Sequence, residues 1–286
     1  MRPDAGAPAG TAAAGPLYDF CLWPYAPLTN PAGKRPFSDL LELSFGLSEA
    51  PSALADVSRR CIEAFGRNAT VWGIKWDGAR LSWELYFYDY ARLDRRVSLE
   101  AVRRVLDVSA WRALPVMEHV PYFMCSVELD VRAQFAPSVD LYVGTPGSEV
   151  SAGLCYACGP CGPAFKNIYY FFDAKRQHDE ILDKLACSMH LTAGAGAPQD
   201  LLWPQTRDCE TLVVANKRLN DGLYYSRVTV GQTLWFLQHM GYPAPICDHL
   251  ARNAGDFAHL LFDLGVDFRA APDRVDFFRS AFYGVV

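Results

Sequence analysis

The sequence predicts a mixed α+β domain in which about ten antiparallel strands form a barrel or a strongly curved sheet, with helices packed outside. Turn signals join strand-like segments into hairpins, and amphipathic helical segments separate the hairpins. The strands also carry one apolar face and one tyrosine-rich polar face. An open twisted sheet rarely exceeds about ten strands, so closure into a barrel is favoured.

Composition limits the class of protein. The chain has 286 residues, of which 51% are hydrophobic, which is enough to bury a core. We predict a disordered tail at residues 1–16, which are rich in Pro, Gly and Ala, and a single α+β domain at residues 17–286. A net charge of −5 without a Lys/Arg cluster argues against nucleic acid as a partner.

Cysteine usage and hydropathy predict the compartment. The nine cysteines are an odd number and are scattered through apolar segments. In a chain of this length they are typical of buried free thiols in a reducing compartment, so we expect a cytoplasmic protein. No apolar run approaches the roughly 18 residues of a membrane span, and the first residues lack the apolar core of a signal peptide.

Helical periodicity and end signals predict helices at residues 52–65, 98–107, 174–190 and 229–240, with two more helical stretches between Pro245 and Gly265. Ser52, Ser98 and Thr229 are suitable N-cap residues for three of these helices.

Strand-like segments are more numerous. They occupy residues 70–76, 80–89, 122–130, 138–144, 150–158, 165–173, 209–217, 222–228 and about 275–284, and residues 38–46 are the candidate for one more. Asp77-Gly78 and Asn220-Asp221-Gly222 are turn signals between consecutive strands.

The two faces of these strands differ in chemistry. Trp83, Leu85 and Phe87 share one face of their strand, and the other face carries Glu84, Tyr86, Tyr88 and Tyr90. Solvent-facing strand positions usually carry Lys, Thr, Gln or Glu, whereas tyrosines among charges suit a concave interior that binds a ligand. A sheet with one face in water is the alternative.

Two segments resemble one protein family. Residues 165–173, FKNIYYFFD, resemble a strand of the soluble aromatic prenyltransferases with the αββα barrel, where Phe-Lys precedes a Tyr and a Phe-Phe pair. Residues 222–241, GLYYSRVTVGQTLWFLQHMG, resemble the next repeat of that family, a Leu-Tyr-aromatic-Ser strand followed by an amphipathic helix that ends at Gly. The resemblance extends over about a quarter of the chain.

The resemblance implies a transferase that moves an allylic (prenyl) group from its diphosphate to an aromatic acceptor inside a Tyr-lined barrel, in secondary metabolism. It also implies that Tyr169 and Tyr224 shield the allylic cation. The basic residue expected two positions before Tyr169 is Asn167 here, with Lys166 beside it. The polar residue expected two positions before Tyr224 is Gly222. Both departures weaken the diphosphate site.

The residue types suit this chemistry. Fixed Lys and Arg donors stabilise the charge that develops on a leaving diphosphate in a dry site, and aromatic faces stabilise a cation. Glu84 can accept a proton from the acceptor, so with Tyr169 and Tyr224 it forms the predicted catalytic set. The predicted substrate-binding residues are Lys75, Tyr86, Tyr88, Tyr142, Lys166, Lys217 and Arg227.

Some details of this site stay open. No cofactor is required, although Mg²⁺ can accompany the diphosphate. Alternation puts Arg227 on the face of Tyr225, whereas the resemblance favours the face of Tyr224, and a β-bulge would reconcile the two. Each charged residue could instead form an ion pair at the rim of the sheet.

Two other functions are also open. One is a non-catalytic accessory protein whose tyrosine-lined cavity or groove binds a small molecule or a peptide. The other is a Cys/His metalloprotein, because Cys155-x-x-Cys158-x-x-Cys161 and Cys187-x-x-His190 have the spacing of zinc ligands. The candidate ligands are Cys158, Cys161, Cys187 and His190. The oligomeric state is not indicated.

Overall fold

The structure of the chain is a computed structural model that describes residues 25–145, 151–191, 198–271 and 274–286. The predicted tail at residues 1–16 lies outside the described residues. Ten antiparallel strands close into one barrel, which confirms the predicted fold class. The strands are β1 (Thr70–Trp76), β2 (Leu81–Tyr88), β3 (Met124–Leu129), β4 (Val139–Gly144), β5 (Ser151–Gly159), β6 (Gly162–Asp173), β7 (Thr211–Lys217), β8 (Asp221–Val228), β9 (Phe262–Ala270) and β10 (Val275–Val285).

The strands follow one another around the barrel in chain order. Each strand pairs with its neighbours in sequence, and β1 completes the circle by pairing with β10, where Val71 lies opposite Val285 and Trp76 opposite Ser280. Because the barrel is closed, none of these strands leaves an unpaired edge.

Helices cover the outside of the barrel. They are α1 (Phe37–Phe45), α2 (Pro51–Phe65), α3 (Leu99–Leu106), α4 (His178–Ala186), α5 (Val230–His239), α6 (Ala244–Arg252) and α7 (Ala254–Phe257). The apolar strand faces point at them: the Phe45 ring packs edge-on against Trp72 and Trp83, at centroid distances of 5.6 and 5.7 Å. The tyrosine-rich faces therefore line the lumen.

The two ends of the barrel are built differently. Short hairpins join β1 to β2, β3 to β4, β5 to β6, β7 to β8 and β9 to β10, so all five turns lie at one end. The helices lie in the longer connections after β2, β6 and β8 and before β1, at the opposite end. We call these the hairpin end and the helix end.

Two segments differ from the sequence prediction. Residues 38–46 are not a strand but belong to α1, because Phe37, Leu40, Leu41, Ser44 and Phe45 recur at helical spacing and are all buried. The helical stretch predicted up to Gly265 ends too late, since β9 begins at Phe262. The predicted total of about ten strands was therefore reached by two errors that cancel.

Candidate functional site

Five tyrosines form a girdle around the middle of the lumen: Tyr86, Tyr142, Tyr169, Tyr224 and Tyr283. Their ring centroids lie 5.7 Å apart for Tyr283 and Tyr86, 6.3 Å for Tyr86 and Tyr142, 5.7 Å for Tyr142 and Tyr169, and 6.0 Å for Tyr169 and Tyr224. The girdle tyrosines line two cavities, one on each side, and among the described residues they alone are common to the linings of both cavities. The girdle is therefore the wall between two compartments.

Three of the five girdle hydroxyls are hydrogen-bonded to polar side chains. Tyr142 exchanges a hydrogen bond with Ser126 at 3.2 Å, and Tyr169 accepts one from Asn167 Nδ2 at 3.1 Å. Lys217 Nζ donates to the Tyr224 hydroxyl at 3.0 Å. Burial raises the pKa of all five phenols well above the usual value for tyrosine, so they stay neutral.

Glycines make room for two of the rings. A Cβ atom on Gly265 would lie 2.7 Å from Cδ1 of Tyr224, and one on Gly73 would lie 2.4 Å from Cε1 of Tyr283. Both distances are shorter than van der Waals contact, so any larger residue would displace the ring. The sequence thus specifies the girdle through small residues as well as through tyrosines.

The compartment toward the hairpin end is charged and has a volume of about 290 Å³; we call it the charged cavity. Its mouth is lined by exposed residues of the β5–β6 and β7–β8 hairpins, including Phe165 and Leu219. Its charged residues are Lys75, Lys166, Lys217, Arg218, Arg279, Glu84, Glu128, Asp140 and Asp267.

Three lysines of the charged cavity form ion pairs with its carboxylates. Lys75 Nζ lies 3.1 Å from Glu84 Oε2 and 2.7 Å from Glu128 Oε1. Lys166 pairs with Asp140, and Lys217 pairs with Asp267. Glu84 also accepts a hydrogen bond from Ser126 Oγ at 2.9 Å, which connects it to the Tyr142 hydroxyl.

These pairs keep the lysines protonated. Burial alone would lower the pKa of Lys75, Lys166 and Lys217, but the neighbouring carboxylates outweigh it, so each pKa lies above its usual value. The pKa of Asp140 is raised, because burial outweighs the attraction of Lys166. The pKa of Glu128 is lowered, because Lys75 and its other cationic neighbours outweigh burial.

Two arginines at the mouth have no such partner. Neither the Arg218 nor the Arg279 side chain forms a hydrogen bond or an ion pair with any part of the chain that the structure describes. Both are exposed and line the charged cavity. They can bind an incoming anion without giving up an existing contact.

The compartment toward the helix end is apolar and has a volume of about 90 Å³; we call it the apolar cavity. Besides the girdle, its lining includes Val71, Tyr88, Phe123, Met124, Gly153, Phe171, Val213, Tyr225, Ser226 and Asp263. The lumen thus offers a charged and an apolar subsite that meet at a ring of aromatic side chains.

The structure brings most of the predicted site residues together. Glu84, Lys75, Lys166, Lys217 and the girdle tyrosines Tyr86, Tyr142, Tyr169 and Tyr224 line the charged cavity, and Tyr88 lines the apolar cavity.

Arg227 lies elsewhere. It lines neither cavity, its backbone has a positive φ of 63°, and its guanidinium carbon is 5.7 Å from the centroid of the Tyr25 ring. The pairing of β8 with β9 is irregular between Tyr225 and Val228, so there is a β-bulge at this position. The bulge does not turn Arg227 into the charged cavity, and we leave it out of the site.

Asn167 and Gly222 are the two positions that depart from the prenyltransferase pattern, and the structure shows what each of them contacts. Asn167 carries no charge but holds the Tyr169 hydroxyl, and Lys166 beside it also lines the charged cavity. A Cβ atom on Gly222 would lie 2.9 Å from Asp267 Oδ1 and 3.3 Å from Lys217 Nζ. The space left by Gly222 is therefore occupied by the Lys217–Asp267 pair.

Sequence reasoning missed several lining residues. Asp267 was missed because β9 was not predicted as a strand: its first residues fell in the predicted helical stretch, and the residues after Gly265 were left unassigned. Tyr283 and Arg279 share one face of the predicted last strand, and alternation along it could have found them. Glu128 and Asp140 stood on polar strand faces, but nothing in the sequence showed that they pair with lumen lysines.

The Cys/His motif does not form a recognisable metal centre. Among the described residues, no three His, Cys, Asp or Glu side chains lie close enough together to hold a metal ion. Cys158 is buried, Cys161 and Cys187 are exposed, and all three are free thiols. His190 Nε2 lies 3.1 Å from the carbonyl oxygen of Lys217.

Comparisons with known proteins add little. No family model matches the chain, and no curated protein matches it. The viral serpin CrmA aligns with a TM-score of 0.14 and 7% identity over 90% of this chain and 92% of the serpin. A likeness this weak carries no argument about fold or function. Within the described residues, no helix is long and apolar enough to cross a membrane.

Proposed function

We propose that the protein is a transferase that moves an allylic group from its diphosphate to an aromatic acceptor inside the barrel. One observation carries the proposal: the tyrosine girdle separates a cation-bearing cavity from an apolar cavity. An allylic diphosphate has the same division, with a charged head, a reacting allylic carbon and a hydrocarbon tail. The head would lie in the charged cavity and the allylic carbon at the girdle.

The cations of the charged cavity would hold the diphosphate. Arg218 and Arg279 are exposed at the mouth, and Lys166 and Lys217 lie further along the wall. Charge-assisted hydrogen bonds from such donors stabilise the negative charge that grows on the leaving group as the C1–O bond breaks. The lysines would exchange part of their contact with Asp140 and Asp267 for the phosphate oxygens.

The girdle would stabilise the allylic cation. Neutral tyrosine rings attract a cation through the negative potential of their faces. Lys217 Nζ already lies 5.5 Å from the Tyr224 ring centroid, so this ring has a positive group beside it even without ligand. The fully protonated state of the phenols matters, because a tyrosinate would trap the cation as an ether.

Glu84 would complete the reaction. A π-electron pair of the acceptor forms the new bond to C1, the C1–O pair leaves with the diphosphate, and the ring proton passes to a base. Glu84 is 5% exposed and is held by Lys75 and Ser126 next to the girdle, which suits that role. A Mg²⁺ ion, if one takes part, would rely on the diphosphate oxygens for most of its ligands.

Direct titration tests the proposal without knowledge of the acceptor. Purified protein should bind dimethylallyl or geranyl diphosphate, and the Lys166→Met/Lys217→Met double variant should bind it at least tenfold more weakly. Release of diphosphate with a panel of phenols and indoles would then identify the acceptor. If neither diphosphate binds at millimolar concentration, the transferase proposal is wrong.

A non-catalytic binding protein is the second candidate. It is favoured by the ion pairs, because every lysine of the charged cavity already has a carboxylate partner and needs no anion. Such a protein would bind a zwitterionic small molecule or peptide and would leave allylic diphosphates intact over hours of incubation.

Metal analysis of the purified protein tests the Cys/His alternative.

A further inference from the structure

The size and lining of the apolar cavity limit what can bind there. It lies beyond the girdle on the helix-end side, and most of its non-girdle lining is hydrocarbon or aromatic, as in Val71, Met124, Phe171 and Val213. We infer that the apolar cavity holds the hydrocarbon tail of the donor and limits that donor to ten carbons. The inference rests on the proposed function.

Charge determines the direction of the tail. If the diphosphate lies among Lys166, Lys217 and Arg279, the carbons beyond the allyl group leave water only by turning back into the charged cavity or by passing through the girdle, because the mouth of the charged cavity opens to water. Turning back would place hydrocarbon against Glu84 and Asp140, which would take water from charged groups without burying the chain in an apolar site. Passing through the girdle requires neighbouring tyrosine rings to part, and it places the tail against walls that are apolar apart from Ser226 and Asp263.

Volume determines the length. The apolar cavity has a volume of about 90 Å³. A dry cavity of about 150 Å³ accommodates benzene, which has six carbons. By the same proportion the apolar cavity has room for about four carbons, so it accommodates no more than one five-carbon isoprene unit beyond the reacting allyl group. A dimethylallyl donor would leave it nearly empty, a geranyl donor would fill it, and the third unit of a farnesyl donor would not fit.

Val213 and Gly153 set this limit. Val213 is buried on β7, where it lies opposite Phe171 on one side and Tyr224 on the other, so a larger side chain there would extend into the apolar cavity. A Cβ atom on Gly153 would meet only Phe171, at an ordinary distance of 3.5 Å, so a side chain can be added there without strain. Val213→Phe and Gly153→Val therefore both shorten the cavity.

Binding of non-reacting donors tests the inference without an acceptor. The probes are the S-thiolodiphosphates of dimethylallyl, geranyl and farnesyl chains, titrated against the full chain. Wild type should bind geranyl at least tenfold more tightly than dimethylallyl, because five more carbons leave water, and at least tenfold more tightly than farnesyl. Val213→Phe and Gly153→Val should remove the geranyl advantage and leave dimethylallyl affinity within about threefold.

The ratio of affinities within one variant is independent of how much of it folds. Ala281→Val is the matched control, because Ala281 lines the charged cavity, and it should leave the geranyl-to-dimethylallyl ratio unchanged. If wild type binds the donors but Val213→Phe weakens both equally, the inference is wrong and the proposed function stands. If wild type binds none of the three probes, the proposed function is wrong, and the inference with it.

Discussion

Gly265 on β9 should be essential for the girdle, and replacing it with alanine tests this. The added Cβ would lie 2.7 and 2.8 Å from Cδ1 and Cε1 of Tyr224, so the ring would have to retreat by about 0.7 Å to reach ordinary contact near 3.4 Å. Tyr224 cannot retreat freely, because Lys217 holds its hydroxyl and Tyr169 packs against it. Overpacking of this kind costs about 1–3 kcal/mol.

Gly153→Ala is the matched control. It is also a lumen-facing strand glycine, but its Cβ would meet Phe171 at 3.5 Å, which is ordinary contact. Replacing a glycine without strain stabilises a protein by about 0.4–1 kcal/mol, because the unfolded chain loses freedom. The two variants should therefore differ in free energy of unfolding by about 1.5–4 kcal/mol.

Urea denaturation followed by tryptophan fluorescence measures this difference. Gly265→Ala should lower the urea midpoint with an unchanged m-value, and Gly153→Ala should leave the midpoint equal or higher. Near-ultraviolet circular dichroism should change in Gly265→Ala alone. Equal midpoints for the two variants would refute the close packing of Tyr224 on Gly265.

Three further predictions concern the charges of the lumen. Diphosphate binding should take up protons and tighten as the pH falls, because drawing Lys166 away raises the already elevated pKa of Asp140; calorimetry in two buffers of different ionisation enthalpy measures the uptake, and a value of zero contradicts it. Arg218→Ala/Arg279→Ala should weaken diphosphate binding at low salt yet change the free energy of unfolding by less than about 0.5 kcal/mol, since neither arginine has an ion-pair partner among the described residues; a large loss of stability would contradict it. Lys75→Met should cost about 3–5 kcal/mol at pH 7, because it leaves Glu84 buried without its counter-charge. In wild type this stabilisation is lost as the pH rises through the raised pKa of Lys75. A urea midpoint that does not change in Lys75→Met would contradict a stabilising Lys75–Glu84 ion pair.

Much of the fold was readable from the sequence because period-2 alternation and turn residues are local signals. The β1–β2 turn lies at Asp77-Gly78 as predicted, whereas the β7–β8 turn lies at residues 218–220, so Asp221 and Gly222 of the predicted turn signal already belong to β8. The error at residues 38–46 arose because a short apolar run fits both the helical and the strand period, and the sequence alone does not show which of its residues are buried. The error at β9 arose because Gly265 and Asp267 weaken a strand pattern, although Gly265 is there to make room for Tyr224.

The candidate site could be predicted only in part from the sequence, for a physical reason. Alternation assigns a side chain to a face, so Glu84, Tyr86 and Tyr142 could be assigned to the polar face of their strands. It does not say which residues meet across the barrel, because that depends on closure and register. The Lys217–Asp267 pair joins residues fifty positions apart, and the bulge beside Arg227 has no sequence signal we could identify.

A crystal structure with geranyl S-thiolodiphosphate bound tests the central claim most directly. Our account predicts the phosphates in the charged cavity, within hydrogen-bond distance of Lys166, Lys217 or Arg279, with the chain crossing the tyrosine girdle into the apolar cavity. Density for the ligand outside the barrel, or a lumen that stays without ligand at saturating concentration, would contradict it.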